Sequence, residues 1–228
     1  MKILALDTSA LTATAAILDG DTLICEESVT TKLTHSQTIM PMVDELLCKA
    51  SLDIDDIDLF ACSVGPGSFT GLRIGIGTIK GLAYGCGKKV CAVSTLEALA
   101  HNIAFSDYLI APIMDARREQ VYNALYRVQN GSVVCVQEPQ AISIDALCAS
   151  LNEKTVFVGD GVKVYKDKIC DLMGENALFA PPQHMLQRAS CVAAAALTKE
   201  GIDASQLSAV YLRKPQAERE REERNEGK

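Results

Sequence analysis

The same order of local patterns occurs twice in this chain, about 110 residues apart. Each copy reads as an apolar strand that ends at an aspartate, a second strand, an Asp-Gly or Asn-Gly turn and a third strand. The first copy comprises residues 3–6, Asp7, 12–18, Asp19-Gly20 and 23–29, and the second comprises 108–114, Asp115, 120–128, Asn130-Gly131 and 133–136. The repetition predicts a duplicated α/β unit, and therefore two lobes.

Length and periodicity divide the rest of the chain. At 228 residues the chain can form two lobes of roughly 100 residues each. We expect a first lobe at 1–104, a smaller second lobe at 105–212 and a charged tail, flexible or helical, at 213–228. An amphipathic period predicts a helix at 34–50, and further helices are predicted at 71–85, after Ser94, at 143–151 and at 191–199, with strands at 59–64, 90–93 and 156–158.

A glycine-rich loop, Gly65-Pro-Gly-Ser-Phe-Thr-Gly71, joins the predicted strand 59–64 to the helix after it. Glycine permits either a tight structural turn or a cradle of backbone N–H groups for phosphate, so both interpretations stay open. The loop is not a P-loop, because Leu72 stands where that motif has its lysine. The candidate residues for a vestigial nucleotide or phosphate site are Asp7, Thr8, Ser9, Gly65, Gly67 and Asp115.

Two aspartates, Asp7 and Asp115, end the first strand of each copy. Open α/β sheets bind ligands at the carboxyl ends of their strands, so either aspartate could hold a hydrated cation beside a phosphate. Each could equally cap a turn.

The predicted helix 71–85 contains an unusual number of glycines, with Gly71 and Gly75 in one series and Gly77, Gly81 and Gly85 in another. Each interior glycine costs about 0.5–1 kcal/mol relative to alanine. Close packing of a second helix against the glycines would offset this free-energy cost. That helix is either 34–50 of the same chain or belongs to a second protein.

Composition excludes several classes of function. The net charge of -7 gives no positive field to attract nucleic acid or anionic lipid. Nine scattered cysteines indicate reduced thiols and a cytoplasmic location. Asp7 interrupts the apolar run that a signal peptide would need, and no segment is long enough to span a membrane. The histidines, His35, His101 and His184, form no metal motif, and no G-x-S-x-G is present, so a zinc or serine hydrolase is not expected.

Four sequence blocks together resemble the TsaB (YeaZ) family, which takes part in bacterial tRNA threonylcarbamoyladenosine synthesis. They are L-A-L-D-T-S at 4–9, H-S-Q at 35–37, S-V-G-P-G-S-F-T-G-L-R at 63–73 and Y-L-R at 211–213. The resemblance covers nearly the whole chain. It implies the duplicated actin/Hsp70/sugar-kinase-like (ribonuclease H-like) fold, in two lobes.

The resemblance also implies that this chain has no catalytic residue and no metal site. The active relative, TsaD, carries a metal-binding H-x-x-x-H. Aligned on the strand at 90–93, its two histidines fall at Thr95 and Leu99. Leucine has no donor atom and a lone hydroxyl is a weak ligand, so the chain is expected to be a catalytically inactive paralogue.

By the same resemblance the chain is a scaffold or activator subunit that pairs with TsaD, while the ATPase TsaE binds across the pair. The complex threonylcarbamoylates the adenosine beside the anticodon, so tRNA would be met only indirectly. No cofactor is expected to bind firmly, with ATP present only at the complex interface through TsaE. An exposed partner-binding face would favour a homodimer of the isolated chain, and a monomer stays open as the alternative. The predicted partner interface comprises Ile39, Met40, Val43, Leu47, Gly71, Ile74, Gly75, Thr78, Gly81, Leu82 and Gly85.

Two other functions stay open from the sequence. An ATPase or phosphoryl-transfer protein of the same fold would use Asp7 and the glycine loop to hold phosphate and Mg²⁺. A metallopeptidase is the weaker alternative, because the H-x-x-x-H is missing.

Overall fold

The computed structural model describes residues 1–31 and 33–213 and contains two five-stranded mixed sheets. In the first sheet, three antiparallel strands are followed by two that run parallel to the first, in the order β3-β2-β1-β4-β5. Its strands are β1 (Lys2–Asp7), β2 (Thr12–Asp19), β3 (Thr22–Thr30), β4 (Leu59–Gly65) and β5 (Lys89–Ser94).

Helices cover both faces of the first sheet. On one face lie α1 (His35–Ala50) and α2 (Phe69–Gly85), and on the other lie α3 (Thr95–His101) and α6 (Ala189–Ala196). Strand β1 serves both layers, because successive side chains point to opposite faces. Leu4 and Leu6 pack under α1 and α2, whereas Ile3 and Ala5 pack against α6.

The second sheet repeats the first, with the order β10-β9-β6-β7-β8. Here too a three-stranded antiparallel meander is followed by two parallel strands. The strands are β6 (Leu109–Asp115), β7 (Gln120–Gln129), β8 (Ser132–Ser143), β9 (Thr155–Val158) and β10 (Ala177–Phe179), and the accompanying helices are α4 (Ile144–Ser150) and α5 (Gly161–Met173). The predicted duplication is therefore confirmed.

Four elements of the second half differ from the sequence prediction. Strand β8 continues to Ser143 rather than stopping at 136, and α6 begins and ends earlier than the predicted 191–199. Helix α5 and strand β10 were not predicted at all. Helix α5 packs Val162, Tyr165, Ile169 and Met173 toward the second sheet, so its apolar residues recur with a helical period that the sequence prediction missed.

The last described segment returns to the first sheet. Helix α6 packs on β1, β2 and β4, Ile202 exchanges two backbone hydrogen bonds with Val90, and the Val210 N–H donates to the carbonyl oxygen of Val64 at 2.7 Å. The division into lobes at residue 104 stays a prediction, and residues after 188 contribute to the first sheet although they follow the second in sequence. Of the predicted tail, 214–228 lies outside the described residues.

Within residues 1–31 and 33–213, every helix is too short or too polar to span a lipid bilayer.

Candidate functional site

Helices α1 and α2 carry a set of exposed and half-buried residues, here called the α1–α2 face. Met40 and Leu47 contribute from α1, and Ile74, Gly77, Thr78, Gly81, Leu82, Tyr84 and Gly85 contribute from α2. Tyr84 is 86% exposed and was not among the predicted interface residues, although it is the one aromatic residue in the second half of α2. On this face the exposed glycines leave the backbone of α2 accessible, and apolar and aromatic side chains of the kind enriched at protein interfaces lie around them.

One series of glycines in α2 faces open space. A Cβ placed on Gly77, Gly81 or Gly85 would meet no atom within 4 Å in the described part of the chain. Packing within this chain therefore does not explain why these three positions are glycine.

The other glycine series packs against the end of β1. A Cβ on Gly71 would overlap the carbonyl oxygen of Thr8, and a Cβ on Gly75 would overlap the Thr8 hydroxyl oxygen. For these two glycines the close approach is intramolecular, made by Thr8 rather than by α1.

The prediction of the partner interface is wrong for four residues. Ile39 and Val43 are each 1% exposed and belong to the core between α1 and the first sheet. Gly71 and Gly75 are buried against Thr8. An amphipathic pattern identifies the helix but not which apolar residues lie at the edge of its buried stripe.

The glycine loop after β4 packs tightly against its own chain. Gly65 has φ = +128°, and a Cβ there would overlap the carbonyl oxygen of Val210. A Cβ on Gly67 would overlap the carbonyl oxygen of Ser9, which also accepts a hydrogen bond from the Ser68 N–H at 2.7 Å. These contacts explain why Gly65 and Gly67 are glycines in a tight structural turn. The Ser68 N–H, which a bound phosphate would need as a donor, is already hydrogen-bonded to Ser9.

Asp7 lies at the end of β1 and is buried. Its Oδ1 accepts hydrogen bonds from the Ser9 N–H at 2.8 Å and the Ser9 hydroxyl at 2.6 Å, and its Oδ2 accepts one from the Ser63 hydroxyl. Burial raises the pKa of Asp7, while the hydrogen bonds from Ser63 and Ser9 lower it. The carboxylate is thus engaged as a turn cap that joins β1 to β4.

A cleft between the two sheets brings together some of the predicted phosphate-site residues. Ser9, Gly67 and Asp115 line a cavity of about 490 Å³, whereas Asp7, Thr8 and Gly65 do not. The predicted phosphate-site residues therefore do not form one site: three line the cleft, and the other three are packed inside the protein.

Asp160 also lines this cleft, near Asp115, and is not one of the predicted site residues. Burial raises the pKa of Asp160 to about 6, and the negative charge of Asp115 adds to the effect. Asp115 accepts hydrogen bonds from the Arg117 N–H at 2.9 Å and the Tyr165 hydroxyl at 3.3 Å. The available signal was the position of Gly159-Asp160-Gly161 directly after β9, the parallel neighbour of the strand that ends at Asp115.

The positions aligned with metal ligands lie inside the protein. Thr95 and Leu99 are fully buried in α3, and burial lowers the pKa of His101 at the end of the same helix. Among the residues described, no group of three His, Cys, Asp or Glu side chains is placed to hold a metal ion.

Comparison with known proteins gives both sequence and structural relatives. Residues 29–219 match the family model for TsaD, tRNA N6-adenosine threonylcarbamoyltransferase. The chain is 37% identical over 221 residues to the tRNA threonylcarbamoyladenosine biosynthesis protein TsaB of Bacillus subtilis, with 96% of each chain covered. It superimposes on YeaZ from Pseudomonas aeruginosa with a TM-score of 0.80 at 28% identity, covering 92% of this chain and 99% of that one.

A more distant structure shares the fold alone. Component A of (R)-2-hydroxyglutaryl-CoA dehydratase from Acidaminococcus fermentans matches with a TM-score of 0.52 at 12% identity, covering 90% of this chain and 100% of that one. Together with the repeated sheet order, these matches confirm the predicted actin/Hsp70/sugar-kinase-like fold.

Proposed function

The chain belongs to the TsaB family of tRNA threonylcarbamoyladenosine biosynthesis proteins, and from that premise we propose that it is a non-catalytic subunit that docks on TsaD through the α1–α2 face. In this proposal TsaE binds across the pair, and any ATP is held at that interface through TsaE. The net charge of -7 favours an indirect role toward tRNA. A cytoplasmic location stays a prediction.

The observation that carries the proposal is the open glycine series of α2. Gly77 and Gly81 lie inside α2, where each reduces the stability of an isolated helix by about 0.5–1 kcal/mol relative to alanine, and Gly85 is the last residue of the helix. No contact within the described chain offsets that cost. A helix of a partner lying directly on the α2 backbone would offset it, since small residues allow helix axes to come close.

The neighbouring side chains support a protein partner rather than a small ligand. Tyr84, next to Gly85 on α2, is exposed, as is Met40 on α1, and Ile74 and Leu82 of α2 are half-buried. Tyrosine and methionine are enriched at protein interfaces, where an apolar body can be buried on binding.

The absence of catalysis is proposed from α3. The metal histidines of the active relative align with Thr95 and Leu99, whose side chains are buried within this chain's own packing. The alternative ATPase function is not favoured, because the oxygens of Asp7 accept hydrogen bonds from Ser9 and Ser63 and the Ser68 N–H is used by Ser9. A metallopeptidase is not favoured either, because the described residues contain no group of three side chains placed to hold a metal ion.

The test is co-purification of this chain with TsaD, followed by an assay for modified tRNA with TsaE and ATP. Gly81→Leu fills the open surface of α2 and should abolish the heterodimer on a sizing column. Cys170→Leu is the matched control, because Cys170 is an exposed position on α5 in the second sheet's layer. It adds an apolar side chain to a helix without touching the α1–α2 face.

Unimpaired complex formation by Gly81→Leu would refute the proposal, provided that the variant has the circular-dichroism spectrum of the wild type. Loss of the complex in both variants would refute the assignment to this face. The oligomeric state of the isolated chain in the same columns tests whether the face also forms a homodimer.

A further inference from the structure

A second cavity, of about 660 Å³, lies beside the cleft between the two sheets. Apolar side chains form most of its wall, namely Leu11, Val162, Val164, Phe179, Met185 and Leu186. Its volume falls within the range of small-molecule sites, about 300–1,000 Å³. None of the exposed glycines of the α1–α2 face lines it.

Gln187 lies in the wall of this cavity and is only 2% exposed. Neither its Nε2 nor its Oε1 has a hydrogen-bond partner among the described residues. Leaving a buried amide without partners is costly, and native proteins satisfy nearly all such groups. The carboxamide offers a donor and an acceptor side by side, which matches another amide group.

A second unpartnered buried atom lines the same cavity. Asp160 Oδ1 is buried and lacks a hydrogen-bond partner within residues 1–31 and 33–213. Asp115 and Arg117 also line the cavity and pair with each other at 3.5 Å, so Asp160 is the carboxyl group at this end that is left for a cationic ligand. An ammonium group would supply both the missing hydrogen bond and the opposite charge.

Two lysines follow Asp160 on α5 and supply positive charge to the cavity. Lys163 and Lys166 are exposed and line the cavity, and Lys166 Nζ lies 5.2 Å from the centre of the Phe179 ring. Carboxylates bind to lysine, and apolar side chains pack against Phe179 and its neighbours.

We propose that this cavity binds a small zwitterion of the dipeptide class with apolar side chains. Its ammonium group binds Asp160, its amide pairs with the Gln187 carboxamide, its side chains pack on the apolar wall and its carboxylate binds Lys163 and Lys166. A zwitterionic amide is the chemistry that uses both unpartnered groups and both signs of charge around one cavity.

The experiment is calorimetric titration of the purified chain with leucyl-leucine, N-acetyl-leucyl-leucine and leucyl-leucine amide. Leucyl-leucine should bind, and removal of either charged end should weaken binding about tenfold, as expected for a charged hydrogen bond. Gln187→Leu and Asp160→Asn should each weaken leucyl-leucine binding by about the same factor. Gln183→Leu is the control, since Gln183 lies nearby but does not line this cavity, and it should leave binding unchanged.

Absence of leucyl-leucine binding would overturn the proposal. So would equal binding by the three compounds, or binding that Gln187→Leu and Asp160→Asn leave unchanged. Adenosine is titrated in parallel, and its binding in place of the dipeptide would show a nucleoside site instead. Val164→Asp should also abolish binding, because it places a charge in the apolar wall. Val164 is exposed, so this variant leaves the buried Gln187 and Asp160 unchanged. None of these results depends on TsaD, so they are separable from the test of the proposed function.

Discussion

The Thr8 hydroxyl donates a hydrogen bond to the carbonyl oxygen of Gly71 at 2.8 Å, which joins the end of β1 to the first turns of α2. The Ser68 N–H reinforces this joint by donating to the carbonyl oxygen of Ser9. The joint holds α2 close to the sheet on its glycine-lined buried side. Its opposite side, with Gly77 and Gly81, is thereby presented outward.

Alanine substitutions should separate the two glycine series. Gly75→Ala places a Cβ against the Thr8 hydroxyl and should lower the free energy of unfolding by about 1–3 kcal/mol, the usual cost of overpacking. Gly81→Ala meets no neighbour and should raise it by about 0.5–1 kcal/mol through helix propensity. Urea denaturation of both variants measures the difference, and effects of the same sign would contradict the assignment.

Removing the Ser63 hydroxyl should destabilise the joint between β1 and β4. Ser63→Ala leaves Asp7 Oδ2 buried without its hydrogen bond, at a cost of about 1–3 kcal/mol. Because the Ser63 hydrogen bond lowers the pKa of Asp7, its loss should raise that pKa further. Denaturation at pH 7, with the exposed Ser205→Ala as control, checks the stability change, and equal stability of the two variants would contradict it.

Asp160→Asn should stabilise the protein in a pH-dependent way. Burial raises the pKa of Asp160 from 3.8 to about 6, so its contribution to stability is fully present below pH 3.8 and is lost as pH rises through 6. Asparagine resembles the neutral carboxyl at every pH. The stability gain of the variant should therefore be larger at pH 7.5 than at pH 4.5, by about 2 kcal/mol. Denaturation curves of both proteins at the two pH values give this difference, and a gain independent of pH would show that Asp160 titrates normally.

Tyr211 should couple energetically to Phe69. Their ring centres are 5.1 Å apart, the guanidinium of Arg73 lies 3.9 Å from the centre of the Phe69 ring, and Arg73 Nε donates to the Tyr211 hydroxyl at 3.3 Å. A double-mutant cycle of Tyr211→Ala and Phe69→Ala should give a coupling energy of about 0.5–1.5 kcal/mol. Strictly additive effects would mean that the C-terminal segment is held by its backbone contacts alone.

The two three-stranded meanders were predictable because their strands are short runs bounded by turn residues. Helix α1 was predictable for a similar reason, since Ile39, Met42, Val43 and Leu46 recur with the period of a helix that has one buried side. Helix α5 was missed although Val162, Ile169 and Met173 recur with the same kind of period. Asp160 was missed because its proximity to Asp115 arises from the parallel pairing of β6 with β9.

By itself, the sequence determined the duplicated α/β architecture, the family and the location of the glycine helix, because periodicity and motif spacing are properties of neighbouring residues. Only the tertiary structure decided which glycines of that helix pack against the fold and which face open space. A glycine has no side chain to indicate its surroundings, so Gly75 and Gly81 look alike along the chain. They differ because Thr8, 67 residues before Gly75, is brought against one of them by the sheet, while the other remains open.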